Sequence, residues 1–337
     1  MSNEVEIIKQ LFGSLSDSDK KSFLKSLKLE KTEPKNKTIN KEVSCCPHCN
    51  SVHFVKNGTS RGTIRFLCKD CSKSFTTTTN TIFFNGKKNI SVWQTYIHCM
   101  IEKYSLRKTA KTCNISLSTA FYWRHKILDA LQKMQDKVEL DGVVEADETF
   151  FGLSFKGHHK NFKLPRLSYH RGTSASKRGL SKELVCVPSA INLNGLSIAK
   201  VSNLGKPNVT ALQKVLNNKI ASDSIFVTDG FRAYSKLTND MSLSHIRIPR
   251  KKYKLGAFNI QTINSYHSRL KAMITYNFKG VATKYLNNYL VYHNFVNFAK
   301  DSDDSKKQIL LNHIIKTNCI SKSIQVANRP AVPLLVA

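Results

Sequence analysis

Two C-x2-C pairs, Cys46 to Cys49 and Cys68 to Cys71, stand eighteen residues apart. Each pair forms a tight knuckle that turns two thiolates the same way. The four sulfurs can therefore surround one Zn²⁺ at roughly 2.3 Å. The intervening "VHFVKNGTSRGTIRFLC", residues 52–68, reads as two alternating strands around a Gly- and Ser-containing turn. The pattern predicts a zinc ribbon with Cys46, Cys49, Cys68 and Cys71 as ligands and Cys45 as a bystander. Four thiolates leave no open coordination position, so the metal is expected to be structural. Arg61, Arg65, Lys69 and Lys73 make the ribbon basic, which predicts DNA contact; a protein-binding ribbon is the alternative.

Charge narrows the partner. Lys and Arg number 53 against 23 Asp and Glu, a formal net charge of +30 that no single tail carries. Such a surface displaces counterions from phosphates, so a nucleic acid is the expected partner. The 337 residues allow two or three domains, and 41% hydrophobic content supports real cores. No apolar run approaches the ~18 residues of a membrane span. "MSNEVEIIKQLFGSL" has early acids and lacks a signal-peptide pattern, so a cytoplasmic location with reduced thiols is expected.

Residues 5–29 read as two short helices, followed by a charged linker near 30–42 with a Pro. Residues 89–137 are helical by period. Within them, "YSLRKTAKTCNISLSTAFYWRHKIL", residues 104–128, has the form helix, short turn, helix. Ser105 can cap the first helix and Ser116 or Ser118 the second, and Ile115 packs into the "NIS" turn. This is helix-turn-helix logic, with Thr119, Tyr122, Arg124 and Lys126 offered to a major groove. A plain helical hairpin with a solvated basic face is the other reading. Phe121, Trp123 and Ile127 are expected in the core.

From Gly142 the pattern changes to short β-rich runs mixed with helices, an α/β domain. In "GVVEADETFFG", residues 142–152, Glu145 and Asp147 share one face while Val144, Ala146 and Glu148 take the other. Asn194-Gly195 centres a hairpin. "SIFVTDGFRAY", residues 224–234, is a buried strand ending at Asp229, and such an end opens onto a cleft. "HIRIPR" supplies another strand. Two Asp residues on neighbouring strands can hold Mg²⁺ through oxygen ligands and leave positions for phosphate and water. Glu145 is a further candidate carboxylate.

"QTINSYHSRLKAM", residues 261–273, is an amphipathic helix with Asn264, His267 and Lys271 on one face. Between Met241 and Lys300 there are ten Lys and Arg and no acid. Two basic stretches, residues 156–182 with Lys177 and Arg178, and residues 247–254 with Arg250, Lys251 and Lys252, are expected to meet DNA. His158, His159 and His170 lack convincing zinc spacing. "KKQILLNHIIKT" predicts one more helix, and "NRPAVPLLVA" an extended end.

The motifs "CPHC…CKDC.KSFT", "TIFFNGKKNISVW", "WRHKIL", "VEADETFFG", "VTDGFRAY" and "INSYHSRLK…GVATKYLNNYL", in this order, resemble those of DDE-type insertion-sequence transposases that carry an N-terminal zinc ribbon and an ISXO2-like catalytic domain. The resemblance covers residues 45 to about 298 and implies an RNase H-like catalytic fold, a mixed sheet flanked by helices. The implied domains are 1–42 as helical segment and linker, 43–80 as ribbon, 88–138 as helix-turn-helix, 141–300 as catalytic domain, and 301–337 as C-terminal helix and tail. It also implies that Asp147 and Asp229 are the first and second catalytic acids, with Mg²⁺ or Mn²⁺ as cofactor. The third position departs from the DDE pattern, because Asn264 stands there and no Glu follows Glu183. Asn264 is expected to ligate metal through its carboxamide, Lys271 to grip phosphate, and His267 to ligate or carry a proton. The implied activity is cleavage at transposon ends and strand transfer into double-stranded target DNA. It would be performed by a dimer or larger assembly in a prokaryotic, nucleoid-associated setting. The alternatives are a decayed, catalytically inactive DNA-binding protein and a structure-selective nuclease.

Overall fold

In a computed structural model the described residues are 16, 18, 19, 42–60, 62–157, 179–249, 252, 254–298 and 302–334. The expected helices at 5–29 lie almost wholly outside them. So do Arg61, Lys177, Arg178, Arg250, Lys251 and the three histidines at 158, 159 and 170.

The cysteine module is an antiparallel meander of β1 (Phe54–Ser60), β2 (Thr63–Cys68) and β3 (Ser74–Thr76). The third strand follows the second knuckle and is additional to the two expected. Gly62, at φ +75°, makes the β1–β2 turn in a conformation that side-chain-bearing residues rarely adopt. Phe54, Phe66 and Phe75 meet with ring centroids 5.5–5.6 Å apart under the knuckles. Three rings are too small a core to hold a sheet alone, so the thiolates above them have to add the missing stability.

Three helices follow: α1 (Ile90–Ile101), α2 (Leu106–Thr112) and α3 (Leu117–Gln135). The caps are those the hydroxyl residues predict. Ser105 Oγ accepts from Lys108 N–H, and Ser116 Oγ accepts from Thr119 N–H. Between them Asn114, at φ 49°, makes the turn, and Ile115 packs against the core. Trp93 of α1 and Trp123 of α3 stack with centroids 3.6 Å apart, and Ile127 is fully buried.

The central sheet runs in the order β6 (Ser197–Ala199), β5 (Leu184–Asn192), β4 (Val143–Gly152), β8 (Ile225–Thr228), β9 (Ser244–Arg247), with β7 (Asn203–Leu204) pairing β5. β4, β5 and β6 are antiparallel neighbours, whereas β8 and β9 run parallel to β4. Two helices make the parallel returns, α4 (Val209–Leu216) before β8 and α5 (Arg232–Asp240) between β8 and β9. This mixed arrangement, antiparallel at the start of the chain path and parallel at its end, is the RNase H-like fold. Its alternation is as the sequence predicts. Val144, Ala146 and Ala190 face α4 and α5, with Leu212, Phe226, Tyr234 and Leu237. Val185, Val187 and Ile191 face the other way.

On that second face lie α6 (Gln261–Ala272), which runs into a π-helical turn at Met273–Asn277, and α7 (Leu286–Asn297). The helix predicted after residue 300 is α8 (Asp303–Lys316); it packs on α1 and α3. A short α9 (Ser323–Ala327) follows, and Arg329 beyond it pairs with Asp129 of α3 at 2.6 Å. One apolar interior therefore contains side chains of α1, α3, α6, α7, α8 and the sheet. Within the described residues no helix is long and apolar enough to cross a membrane.

Candidate active site

β4 and β8 pair in register up to Ala146 opposite Thr228. One further step sets Asp147, midway along β4, beside Asp229, just past the carboxyl end of the parallel β8; neighbouring strands lie roughly 4.8 Å apart. Strand β8 ends there, so the edge of β4 beyond Asp147 is open on that side. Asp229 also shapes the turn before the next helix, because its Oδ1 accepts from Phe231 N–H at 2.9 Å. The ordinary turn role of a strand-end Asp thus uses one of its two oxygens.

Burial pushes the Asp147 carboxyl up to about 6, and the negative charge of Asp229 pushes in the same direction, against an amide donor and the charge of Lys271. Burial likewise raises Glu148 to about 7, with Asp147 and Asp229 adding to the shift. Three carboxyls share one electrostatic neighbourhood, with Lys271 felt at Asp147 and with Lys206, Arg232 and Arg247 along the adjoining cavity. A divalent cation fits such a donor set, since hard oxygen ligands and excess negative charge are what it requires.

Helix α6 lies across Asp147. The buried Ile263, Tyr266 and Leu270 hold it on the sheet. His267 sits at the margin of that stripe, 7% exposed, with Nδ1 3.7 Å from Asp147 Oδ2. Burial drives its imidazole down to about 4, so it is neutral at pH 7, and 3.7 Å exceeds hydrogen-bond reach. The contact is a polar approach and not an ion pair. His267 Nε2 is buried without a partner. Lys271 is exposed, one turn further on, and its charge is felt at both Asp147 and His267. Asn264 is exposed, one turn before His267. The predicted common face is thus divided: His267 turns inward while Asn264 and Lys271 remain in solvent. The structure gathers Asp147, Asp229, His267 and Lys271, and Asn264 stands at the rim.

Glu145 does something other than lend a carboxylate to metal. It is 3% exposed, and its Oε2 accepts from Ile263 N–H at 2.9 Å, which pins the first turn of α6 to the sheet. A carboxylate is favoured there because the free N–H groups of a helix start carry partial positive charge. Glu148 was not a site candidate in the sequence. It lies on the opposite pleat, and only the β8 terminus beside it brings it to Asp229. Together with Phe150, Lys206, Asp229, Phe231 and Arg247 it lines a cavity of about 850 Å³.

The sulfurs of Cys46, Cys49, Cys68 and Cys71 all lie within 4.8 Å of one another. Cys46 and Cys71 are 3.7 Å apart and Cys49 and Cys68 3.6 Å, spacings that suit four thiolates on one tetrahedral Zn²⁺. Arg65 and Lys73 are exposed on the ribbon. Arg65 Nε donates to Asn57 O. Lys252 is exposed beyond β9.

The predicted recognition helix requires one correction. Arg124 is 3% exposed, and its guanidinium donates to Tyr104 O at 3.0 Å. It is held inside the protein and does not reach a phosphate. The cause is the packing of α3 on α7, which encloses His125 as well, against Tyr285. Thr119, Tyr122 and Lys126 are half-buried.

Residues 139–295 match the ISXO2-like transposase domain family. A Halobacterium salinarum protein described as an uncharacterized protein in transposable element ISH50 is 25% identical over 248 residues, covering 73% of this chain and 82% of that protein. Two solved structures are also similar, each over 65% of this chain. A pre-cleavage Mos1 transpososome has a TM-score of 0.26 at 11% identity, over 76% of its chain. The Mos1 mariner paired end complex with Mn has 0.28 at 12% identity, over 75% of its chain. Likeness that slight carries no argument about the fold.

Proposed function

We propose that this chain, whose residues 139–295 match the ISXO2-like transposase domain family, is an insertion-sequence transposase of that family, which binds the terminal inverted repeats of its element, cuts the DNA there and joins the ends to a target. The observation that carries this reading is Asp147 abreast of Asp229, one midway along β4 and the other just past the end of the parallel β8, with each charge felt by its neighbours. Divalent ions held by these two acids would supply a more acidic water and neutralise charge at the departing 3′ oxygen.

The remaining roles belong to the chain. Asn264, a neutral amide on the exposed side of α6, offers its carboxamide oxygen to the metal or to a metal-bound water. The site then carries one charge fewer than a three-acid site, and DNA phosphates complete it. Lys271 grips the scissile or a neighbouring phosphate. His267, neutral beside Asp147, holds or passes a proton through its unpartnered Nε2. The four cysteines hold a structural Zn²⁺ that shapes the ribbon. Arg65, Lys73, Thr119, Tyr122, Lys126 and Lys252 contact DNA, as do Arg61, Lys177, Arg178, Arg250 and Lys251 from outside the described residues. Joining two ends to one target uses two active sites, so the working form is at least a dimer on DNA.

The test is strand transfer with labelled inverted-repeat ends in Mg²⁺, repeated in Mn²⁺. Asp147→Asn should abolish product. Cleavage that persists in this variant removes the site assignment. End binding without cleavage by the unaltered chain selects the decayed DNA-binding reading, and cutting of branched DNA without end preference selects the nuclease. Asn264→Asp should retain activity or alter its metal preference. If Asn264→Asp and Asn264→Ala both leave the metal response unchanged, Asn264 is not a ligand.

A further inference from the structure

The cavity beside Asp229 has walls that the acids do not explain. We propose that it is a subsite for one unpaired nucleotide of the DNA, with the base against Phe150 and Phe231 and the phosphate held by Lys206, Arg232 and Arg247. This rests on the reading of the chain as one that cuts DNA at Asp147 and Asp229.

The cavity exists because two strands differ in length. β8 pairs with β4 only as far as Thr228 opposite Ala146, and β4 runs on to Gly152. Phe150 therefore leaves β4 where β8 has already ended. It shares a pleat with Val144 and Ala146, which are buried against α4 and α5. Phe150 itself is half-buried and, among the described residues, packs into neither apolar interior of the catalytic domain. Phe151, on the opposite pleat, does pack against one of them. The ring left over on the free strand edge is instead a wall of a cavity of about 850 Å³.

The other walls are cationic and aromatic. Lys206 precedes α4, Phe231 and Arg232 open α5, and Arg247 closes β9. Asp229 and Arg247 thus mark the carboxyl ends of the parallel β8 and β9, where an α/β sheet ordinarily takes its ligand. Arg247 donates to Gly230 O at 2.9 Å, which fixes its guanidinium and leaves further N–H donors over. Lys206 Nζ stands 5.0 Å from the centroid of the Phe231 ring, so a cation and an aromatic face are offered side by side. Arg232 is exposed. Three cations and two acids, Glu148 and Asp229, line the cavity, a surplus of one positive charge.

Together these features specify the ligand. A phosphodiester brings one negative charge, which matches the surplus. A paired and stacked base hides its faces, so only a base taken out of the duplex can cover a Phe ring in the wall. The volume lies within the roughly 300–1,000 Å³ usual for sites of small organic ligands, which admits a base with its sugar and phosphate. The strand delivers this nucleotide itself, because Asp229 belongs both to the cavity and to the pair of acids that takes the scissile phosphate.

The experiment uses the full chain with its ribbon zinc in place and no other divalent ion, so nothing is cut. Fluorescence anisotropy measures affinity for labelled duplexes of the element's end: blunt, with a single unpaired nucleotide on either strand in turn, and with the same overhangs lacking the base. An unpaired nucleotide on one strand should tighten binding roughly five- to hundredfold over the blunt duplex, the range of base–aromatic stacking. The abasic overhang should recover only a small part of this gain. Phe150→Leu keeps apolar bulk and removes the ring face. It should fold, which a thermal melt checks, bind the blunt duplex within twofold of the unaltered chain, and lose most of the gain. Phe150→Tyr should keep the gain. Arg232→Gln should weaken both kinds of overhang about threefold, through the phosphate. A gain that survives in Phe150→Leu, or that the abasic overhang reproduces in full, overturns the base pocket. Equal affinity of the unaltered chain for blunt and overhanging duplexes overturns the subsite, whereas no affinity for any of them overturns the DNA reading beneath it.

Discussion

A protein that gathers carboxyls for a cation is destabilised by them until the cation arrives, and Asp147→Asn measures the penalty. The Asp147 carboxyl rises from an ordinary 3.8 to about 6 on folding. Each unit is worth about 1.4 kcal/mol, giving roughly 3 kcal/mol as an upper bound. Asp229 and Glu148 share the repulsion, so about 2 kcal/mol is the working figure. The sign follows from proton uptake. The folded chain binds the proton more tightly than the unfolded chain, so stability falls as pH rises from about 4 to about 6 and stays low above that. Asp147→Asn removes the fall. With no divalent ion added, its melting temperature should exceed that of the unaltered chain by roughly 4–8 °C at pH 8 and by almost nothing at pH 4. Adding Mn²⁺ should reverse the order, because only the unaltered chain binds it well. Differential scanning calorimetry across pH reads all three. A gain at pH 8 that persists undiminished at pH 4 would show that packing, not charge, was altered. No gain at pH 8 would refute the electrostatic account.

Glu145→Gln should cost about 1–2 kcal/mol in urea denaturation, because a charge-assisted bond to Ile263 N–H becomes a neutral one at a helix start. Arg124→Met should destabilise by about 2–4 kcal/mol through the freed Tyr104 carbonyl and the lost packing. Under native conditions it should leave DNA affinity unchanged in a gel-shift titration; a large loss would return Arg124 to the interface. Cys68→Ser should release zinc, measured by atomic absorption, and expose the Phe54–Phe66–Phe75 cluster to limited proteolysis, while the tryptophan fluorescence of the Trp93–Trp123 stack stays as it was.

The cysteine cluster and the strand end at Asp229 were legible because each is a local pattern. Thiolates with two residues between them share a knuckle, and an Asp closing an apolar strand opens onto its end. Ser105 and Ser116 were equally readable, since a cap is decided within four residues. What stayed hidden depends on partners far along the chain. Arg124 has the look of a groove-facing residue, and only the arrival of α7 and Phe278 over it encloses its guanidinium. Glu145 resembles a spare ligand until α6, 118 residues later, presents an N–H to it. Glu148 falls on the wrong pleat for a partner of Asp147, and the early end of β8 alone brings it into the site. The chain after residue 301 carries no local sign that Ser321 and Arg329 will both converge on Asp129.

The continuous interior shared by the helices around Asn114 and by the catalytic sheet has a mechanical outcome. Among the described residues one packed core joins the two, so the turn and the paired aspartates are held at one spacing, like the jaws of a caliper. If a duplex lies along α3, as proposed, it meets the acids at a set stride, counted in base pairs by the width of the protein and not by the reach of a tether.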